Sequence, residues 1–184
     1  MKKTAGFYLK SAICTAWFRL HGYQTSLVGC EGQLPVLGRN GANIRIGKRF
    51  VLRARVARCE IGAFASGKLQ IGDRVFINQG VVISAQESIE IGDDTKIGDF
   101  SAIYDSNFHE IDPGHPAKAR PVTIGKNVWL GNGVLVLAGS SIGDHTVVAA
   151  RSVVSGALPP KVLAAGNPAK VVKQLDIPDG WRRA

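Results

Sequence analysis

Acidic side chains are scarce at the front of this 184-residue chain, where residues 1–58 hold the single acid Glu31 against eleven lysines and arginines. Residues 59–184 hold thirteen acids against twelve cations, so the excess behind the net charge of +9 lies in the first third. No aromatic-interleaved basic motif accompanies that excess, which argues against a nucleic-acid partner and leaves an anionic membrane surface or a phosphorylated substrate to explain it. Cysteine is sparse too: Cys14, Cys30 and Cys59 are odd in number and scattered, with no CxxC. With no histidine at ligand spacing either, neither a disulfide framework nor a bound metal is expected, and a reduced cytoplasmic setting fits. Long apolar runs are missing as well. The one candidate, within residues 4–23, is broken by Lys10 and Arg19 and is short for a bilayer. Lys2 and Lys3 precede it as in a secretion signal, but the small-residue cleavage pattern is absent.

What the chain has is a beat of aliphatic residues at every sixth position. It runs Ile71, Ile77, Ile83; then Ile91, Ile97, Ile103; then Ile124, Leu130, Val136, Ile142, Val148 and Val154. A period of six fits neither an amphipathic helix nor a hairpin meander. It fits a short strand plus a tight corner, three such units making one triangular coil whose inward aliphatics stack on those of the next. Glycine follows the aliphatic at Gly72, Gly92, Gly98, Gly125 and Gly143, where a sharp corner wants a residue that tolerates unusual backbone angles and allows close chain approach. The spacing predicts an all-β chain, a parallel β-helix of triangular section.

Three regions follow from this. Residues 1–28 read as an N-terminal helix and linker, with a stripe of Leu9, Ile13, Ala16, Trp17 and Leu20 and a stop at Gly22; Phe7 and Phe18 fall off the stripe. The extra apolar surface calls for cover by a subunit, by the β-helix or by lipid. Residues 29–175 read as the β-helix, degraded over 29–67 as terminal repeats are. There Arg45, Arg49, Arg53, Arg55 and Arg58 alternate with inward-type residues, as on a strand with one solvated face. Residues 176–184 form a tail that Trp181 would pin to the body. The beat is interrupted twice, by a two-residue bulge near Gln86 to Ser88 and by a long break between Ile103 and Ile124 whose sequence is rich in Pro, Asp and His. Loops on a rigid scaffold commonly carry chemistry.

Of the four histidines, at 21, 109, 115 and 145, His109 lies at the start of that long loop, six residues after Ile103, in a slot an aliphatic would hold. Asp105, Asn107, Glu110 and Asp112 flank it and can orient a general base. The hexapeptide beat, the loop NFHEIDPG, the string VTIGKNVWLGNG and the ending AAGNPAKVV together resemble the left-handed β-helix acyltransferases over about residues 40–175. Within them they resemble the galactoside, maltose and nodulation O-acetyltransferases and the enzymes that acetylate bacterial surface polysaccharides.

The resemblance implies a left-handed coil, a homotrimer with active sites between subunits, and direct transfer of an acetyl group from acetyl-CoA to a hydroxyl of a glycan acceptor. It implies His109 as the catalytic base and Asn78 as a catalytic partner at the cofactor end. Trp129, Asn132, Ala150 and Ser155 would line the pantetheine groove, and Lys170 and Lys173 would meet the coenzyme's phosphates. Asp105, Asn107 and Gln86 are the candidate acceptor-binding residues, although the bulge near Gln86 has no clear match to the substrate aspartate of the sugar acetyltransferases, and their N-terminal acceptor segment is replaced here by a different helix. Three other readings stay open: N-acetylation of a nucleotide-linked amino sugar, a non-catalytic scaffold, and a zinc carbonic anhydrase of the same fold. The last needs three histidine ligands, and residues 44–103 contain no histidine.

Overall fold

The computed structural model describes residues 4–38, 43–64 and 66–183. After one helix, Ala5–Leu20, every element is a short strand, and the strands fall into three parallel sheets that form the sides of a prism. The first face runs from Gln24–Thr25 through Ile44–Ile46, Lys68–Ile71, Ser88–Ile91, Val122–Ile124 and Ser141–Ile142 to Ala157–Leu158. The second runs from Gly29–Gly32 through Val51–Ala54, Phe76–Ile77, Lys96–Ile97, Trp129–Leu130 and Val147–Val148 to Val162–Gly166, closed by the antiparallel strand Ala169–Gln174. The third runs from Val36–Leu37 through Glu60–Ala63, Val82–Ala85, Ala102–Tyr104 and Leu135–Val136 to Val153–Val154. The stack thus starts at Gln24, ahead of the residue 29 expected from the repeat.

The aliphatic beat is the register of these sheets. On the first face Ile46, Ile71, Ile91, Ile124, Ile142 and Leu158 pair in succession. On the second the column is Leu52, Ile77, Ile97, Leu130, Val148 and Ala164, and on the third Ile61, Ile83, Ile103, Val136 and Val154. All of these side chains are buried. On the first face a second buried column, Ile44, Leu69, Ile89 and Val122, runs two residues ahead of the beat, so the narrow prism is filled in strict register.

The corners behave differently from expectation. The glycines after the aliphatics are needed for close approach alone: a Cβ on Gly92 would lie 2.6 Å from the carbonyl carbon of Gly125. The left-handed backbone falls two residues later, at Arg74, Asp94, Phe100, Asn127 and His145, all with φ between 54° and 62°. At the corner between the first and second faces this conformation turns each N–H onto the preceding coil: Arg74 donates to the Lys48 carbonyl, Asp94 to Asp73, Asn127 to Asp93, His145 to Lys126 and Lys161 to Asp144. A hydrogen bond per corner offsets the steric cost of a side chain there. Buried hydroxyls brace the corners as well. Thr95 and Ser101 each donate to a glycine carbonyl of the next coil, Gly125 and Gly131, and accept the N–H of Val128 and Val134.

The helix packs by the face opposite to the one its apolar stripe suggests. Ser11, Cys14, Thr15 and Phe18 are buried, whereas Leu9, Ile13, Trp17 and Leu20 are exposed. The reason is the open end of the stack, whose first coil presents unpaired N–H groups. Ser11 Oγ accepts the N–H of Cys30 at 3.1 Å and Thr15 Oγ1 that of Val28 at 2.9 Å, while Phe18 fills the prism mouth edge-on against Tyr23 and Phe50. Burial also pushes the Cys59 thiol up to about 11.

The two corner mechanisms separate experimentally. Gly92→Ala should cost about 1–3 kcal/mol in denaturant unfolding, because backbone rather than a mobile side chain meets the new methyl. Arg49→Gly, at φ 58°, should change stability by less than about 1 kcal/mol.

Candidate active site

The long break after Ile103 leaves the prism at the corner between the third and first faces, and its foot is held by Asp105. That side chain is fully buried, and its two carboxylate oxygens accept the N–H groups of Gln86 and Glu87, both at 2.8 Å. Its carbonyl accepts the N–H of Arg120, where the excursion returns. Asp105, expected to bind acceptor, is therefore a positioning residue: it ties the short link 86–87 to both ends of the long loop. Gln86 sits in that link, half-buried, with its main chain fixed by Asp105.

From this foot the chain builds a platform for the histidine. Ser106 Oγ accepts the N–H of Phe108, and the Asn107 carbonyl accepts that of His109 at 2.7 Å. Phe108 adopts φ 62° and packs its ring edge-on against Tyr104, at 5.6 Å between centroids. These contacts fix the backbone leading into His109 and leave its imidazole exposed, with no protein partner among the described residues. Asn107 is exposed and contributes through its carbonyl. The tip closes with a bridge between Asp112 and His115.

The other expected residues lie on different parts of the prism. Asn78, Asn132 and Ala150 stand at the corner between the second and third faces, in coils that follow one another or nearly so. Asn132 and Ala150 are exposed and Asn78 is half-buried, its carbonyl accepting the Cys59 thiol. Trp129 projects from the second face beside that corner, 45% exposed. Ser155 and Lys170 line one small hollow of about 200 Å³ at the last coil, and Lys173 is exposed on the closing strand. The third face separates the His109 edge from the Asn78 edge by roughly 15–20 Å, a strand and a corner at about 3.3 Å per residue. Within one chain these two sets do not meet.

Two features were not read from the sequence. On the third face Gly38, Gly62 and Ser84 floor a hollow of about 630 Å³ walled by Glu60, Phe64 and Tyr104, so it ends at the foot of the His109 platform. Small outward residues in successive coils were its signal. The second feature is the way the tail, expected to be pinned at Trp181, is held by Asn127. Asn127 accepts the N–H of Arg183 at 2.9 Å and donates to the Trp181 carbonyl at 3.2 Å, and its amide also meets His145 Nδ1 at 2.8 Å. The Arg183 guanidinium is thereby placed 4.9 Å from the Trp181 ring and 5.7 Å from the Trp129 ring, where burial pulls its pKa down and its Nε and Nη2 have no partner among the described residues. Lys96 beside it is also lowered, by burial and then by Arg183.

Asn127→Gly keeps the φ of 54° accessible and removes both tail bonds. Trypsin should then cut after Arg182 and Arg183 at least about tenfold faster than in the parent protein, as expected when local opening controls cleavage.

Comparison with known proteins agrees with this architecture. Residues 121–156 match the family model described as bacterial transferase hexapeptide (six repeats). The chain is 36% identical over 156 residues, 78% of its length and 78% of the relative's, to an Escherichia coli K12 protein named as a lipopolysaccharide biosynthesis O-acetyl transferase, WbbJ. It is 38% identical over 121 residues, 64% of this chain and 59% of the relative, to a Saccharomyces cerevisiae protein named as an acetyltransferase, YJL218W. Among solved structures, the hexapeptide-repeat acetyltransferase VCA0836 of Vibrio cholerae superposes with a TM-score of 0.65 at 28% identity, covering 91% of this chain and 82% of that one. The N-acyltransferase AntD of Bacillus cereus shares the fold, with a TM-score of 0.72 at 19% identity over 88% of this chain and 89% of that one. A parallel prism built on the six-residue beat, with an imidazole on its one long excursion and a relative matched along most of both chains, places this protein in the hexapeptide-repeat acyltransferase family.

Proposed function

We propose that the protein transfers an acetyl group from acetyl-CoA to a hydroxyl of a sugar or surface-polysaccharide intermediate, with His109 as general base. The observation that carries this reading is the His109 platform: an imidazole held by its backbone, free at its ring, beside a hollow that suits a sugar ring. Aromatic walls at Phe64 and Tyr104 complement the apolar faces of a pyranose, and Ser84 and Glu60 supply polar contacts. The similarity to WbbJ, named for lipopolysaccharide O-acetylation, points to a glycan, and VCA0836 has been crystallised with acetyl coenzyme A.

An alcohol is a weak nucleophile at neutral pH, so a base within reach is a chemical requirement. The acceptor hydroxyl gives its proton to His109 as its oxygen attacks the thioester carbonyl carbon. The tetrahedral intermediate then collapses, the carbon–sulfur bond breaks, and the imidazolium returns the proton to the departing thiolate. Negative charge on the former carbonyl oxygen calls for N–H donors, which backbone amides or Asn78 supply. Because the third face lies between His109 and the edge of Asn78, Asn132 and Ala150, the complete site takes the histidine from one copy and that edge, with Trp129, from the next. A homotrimer meets this requirement. Ser155 lines the far end of the cofactor path, where Lys170 and Lys173 meet the coenzyme's phosphates. A cytoplasmic setting, peripheral to the inner membrane face, belongs to the same proposal.

Thiol release from acetyl-CoA over a panel of glycan, amino-sugar and nucleotide-sugar acceptors tests the reading. Release with a glycan hydroxyl supports it; release with amino sugars alone transfers the assignment to N-acetylation, and release with none favours a scaffold. His109→Ala should lower turnover by about 10²–10⁴ while coenzyme A affinity stays within about threefold. Ser84→Phe, which fills the hollow, should raise the acceptor KM with little change in that for acetyl-CoA.

A further inference from the structure

Among the described residues the outward face of the helix has little cover beyond Trp17, whose indole N–H donates to the Pro35 carbonyl at 3.2 Å. At 100° per residue, the turn of a regular helix, the exposed residues Ala12, Ala16, Leu9, Leu20, Ile13 and Trp17 occupy an arc of roughly 140°. No charge falls inside it. Arg19 stands at one border and Lys10 at the other, both exposed. Leu20 and the exposed Leu27 extend the arc into a cleft of about 580 Å³ that Ala12, Thr15 and Ala16 also line, with Arg19 among its walls. Leu9, Ile13 and Leu20 are each more than half exposed, a contiguous apolar surface well beyond the scattered single residues of an ordinary protein exterior.

Charge selects the occupant. The helix belongs to the third of the chain that carries eleven cations against one acid, and that acid, Glu31, is already paired with Arg53 at 3.0 Å and Arg55 at 2.7 Å. Arg45, Lys48, Arg49 and Arg58 are exposed in the coils just behind the helix. A second copy brought face to face would set Lys10 and Arg19 against their own kind, whereas anionic headgroups neutralise them. An apolar face of bulky side chains rimmed by cations, on a helix lying flat across the end of its domain, is the pattern that settles in the headgroup region of a bilayer. No helix among the described residues is long and apolar enough to cross one.

From these features we infer that the Ala5–Leu20 helix docks the protein, face down, on an anionic lipid bilayer. Successive coils lie about 4.8 Å apart, so the fourth coil, which carries the His109 loop, stands roughly 15 Å above the first. Given the proposed acetyl transfer, a glycan acceptor anchored in that bilayer falls within the reach of His109.

Sedimentation with vesicles tests the docking without any use of catalysis. The protein should sediment with phosphatidylcholine–phosphatidylglycerol vesicles at low salt, not with phosphatidylcholine alone, and added salt should release it. Leu9→Glu with Ile13→Glu, both on the exposed arc, should weaken the partition by about tenfold or more and leave turnover on a soluble acceptor unchanged. Lys10→Glu, at an exposed position, should weaken it in a salt-dependent way. The inference fails if the parent protein does not sediment, if the double variant sediments as the parent does, or if that variant loses a subunit by light scattering, which would show the arc covered by another copy. Acetyl transfer surviving any of these failures leaves the proposed activity standing, and loss of activity with docking intact does the reverse.

Discussion

Everything in this molecule depends on one packing constraint: the aliphatic side chain that each side of a narrow triangular prism sends inward at every sixth residue must lie directly over its counterpart in the next coil. A void or a misplaced side chain in so thin a core has few neighbours to absorb it. Ile71 over Ile91 over Ile124 is thus both the core and the register. Corners follow from it. A coil that returns to the same register every third side must turn sharply, and it does so with a close-packed glycine and, two residues on, a left-handed residue that spends its N–H on the coil before.

A rigid lattice makes its interruptions precise. Chain inserted between two fixed columns has nowhere to go but outward, so the excursion after Ile103 projects from a known corner, and Asp105 binds its foot to the shorter link at Gln86–Glu87. Two departures from the beat, far apart in sequence, become one structural unit. The same geometry keeps the edges of the prism apart. The proposed base stands on one edge and the proposed cofactor residues on another, and this separation is the physical ground for proposing a site shared between copies.

Much of this was legible in the sequence because the repeat reports a single strong constraint. All the aliphatics of the beat stand where the count of six puts them, and the loop bearing His109 was located by arithmetic alone. What stayed hidden depended on polar groups whose partners are remote in sequence. An aspartate near a histidine has the look of a substrate ligand, and nothing marks Asp105 as the acceptor for two backbone amides of the previous coil. Asn127 gives no sign that it holds the tail at Trp181 and Arg183. The helix was misread for a related reason: counting apolar residues favours the Leu9–Ile13–Trp17 stripe, whereas the first coil needs hydroxyl acceptors for its free N–H groups, and Ser11 and Thr15 supply them. The apolar stripe is consequently left for solvent or a surface.

The most direct test of a site shared between neighbouring copies is complementation. A His109→Ala subunit keeps an intact cofactor edge, and an Ala150→Trp subunit, with bulk added at an exposed position of that edge, keeps an intact histidine. Each homo-oligomer should be close to inactive. After the two are dissociated, mixed and reassembled, a fraction of the sites pairs the good histidine of one subunit with the good edge of the other, and acetyl transfer should return to a substantial fraction of the parent rate. Mixed oligomers that form and stay inactive would contradict the shared site and place base and cofactor on a single chain.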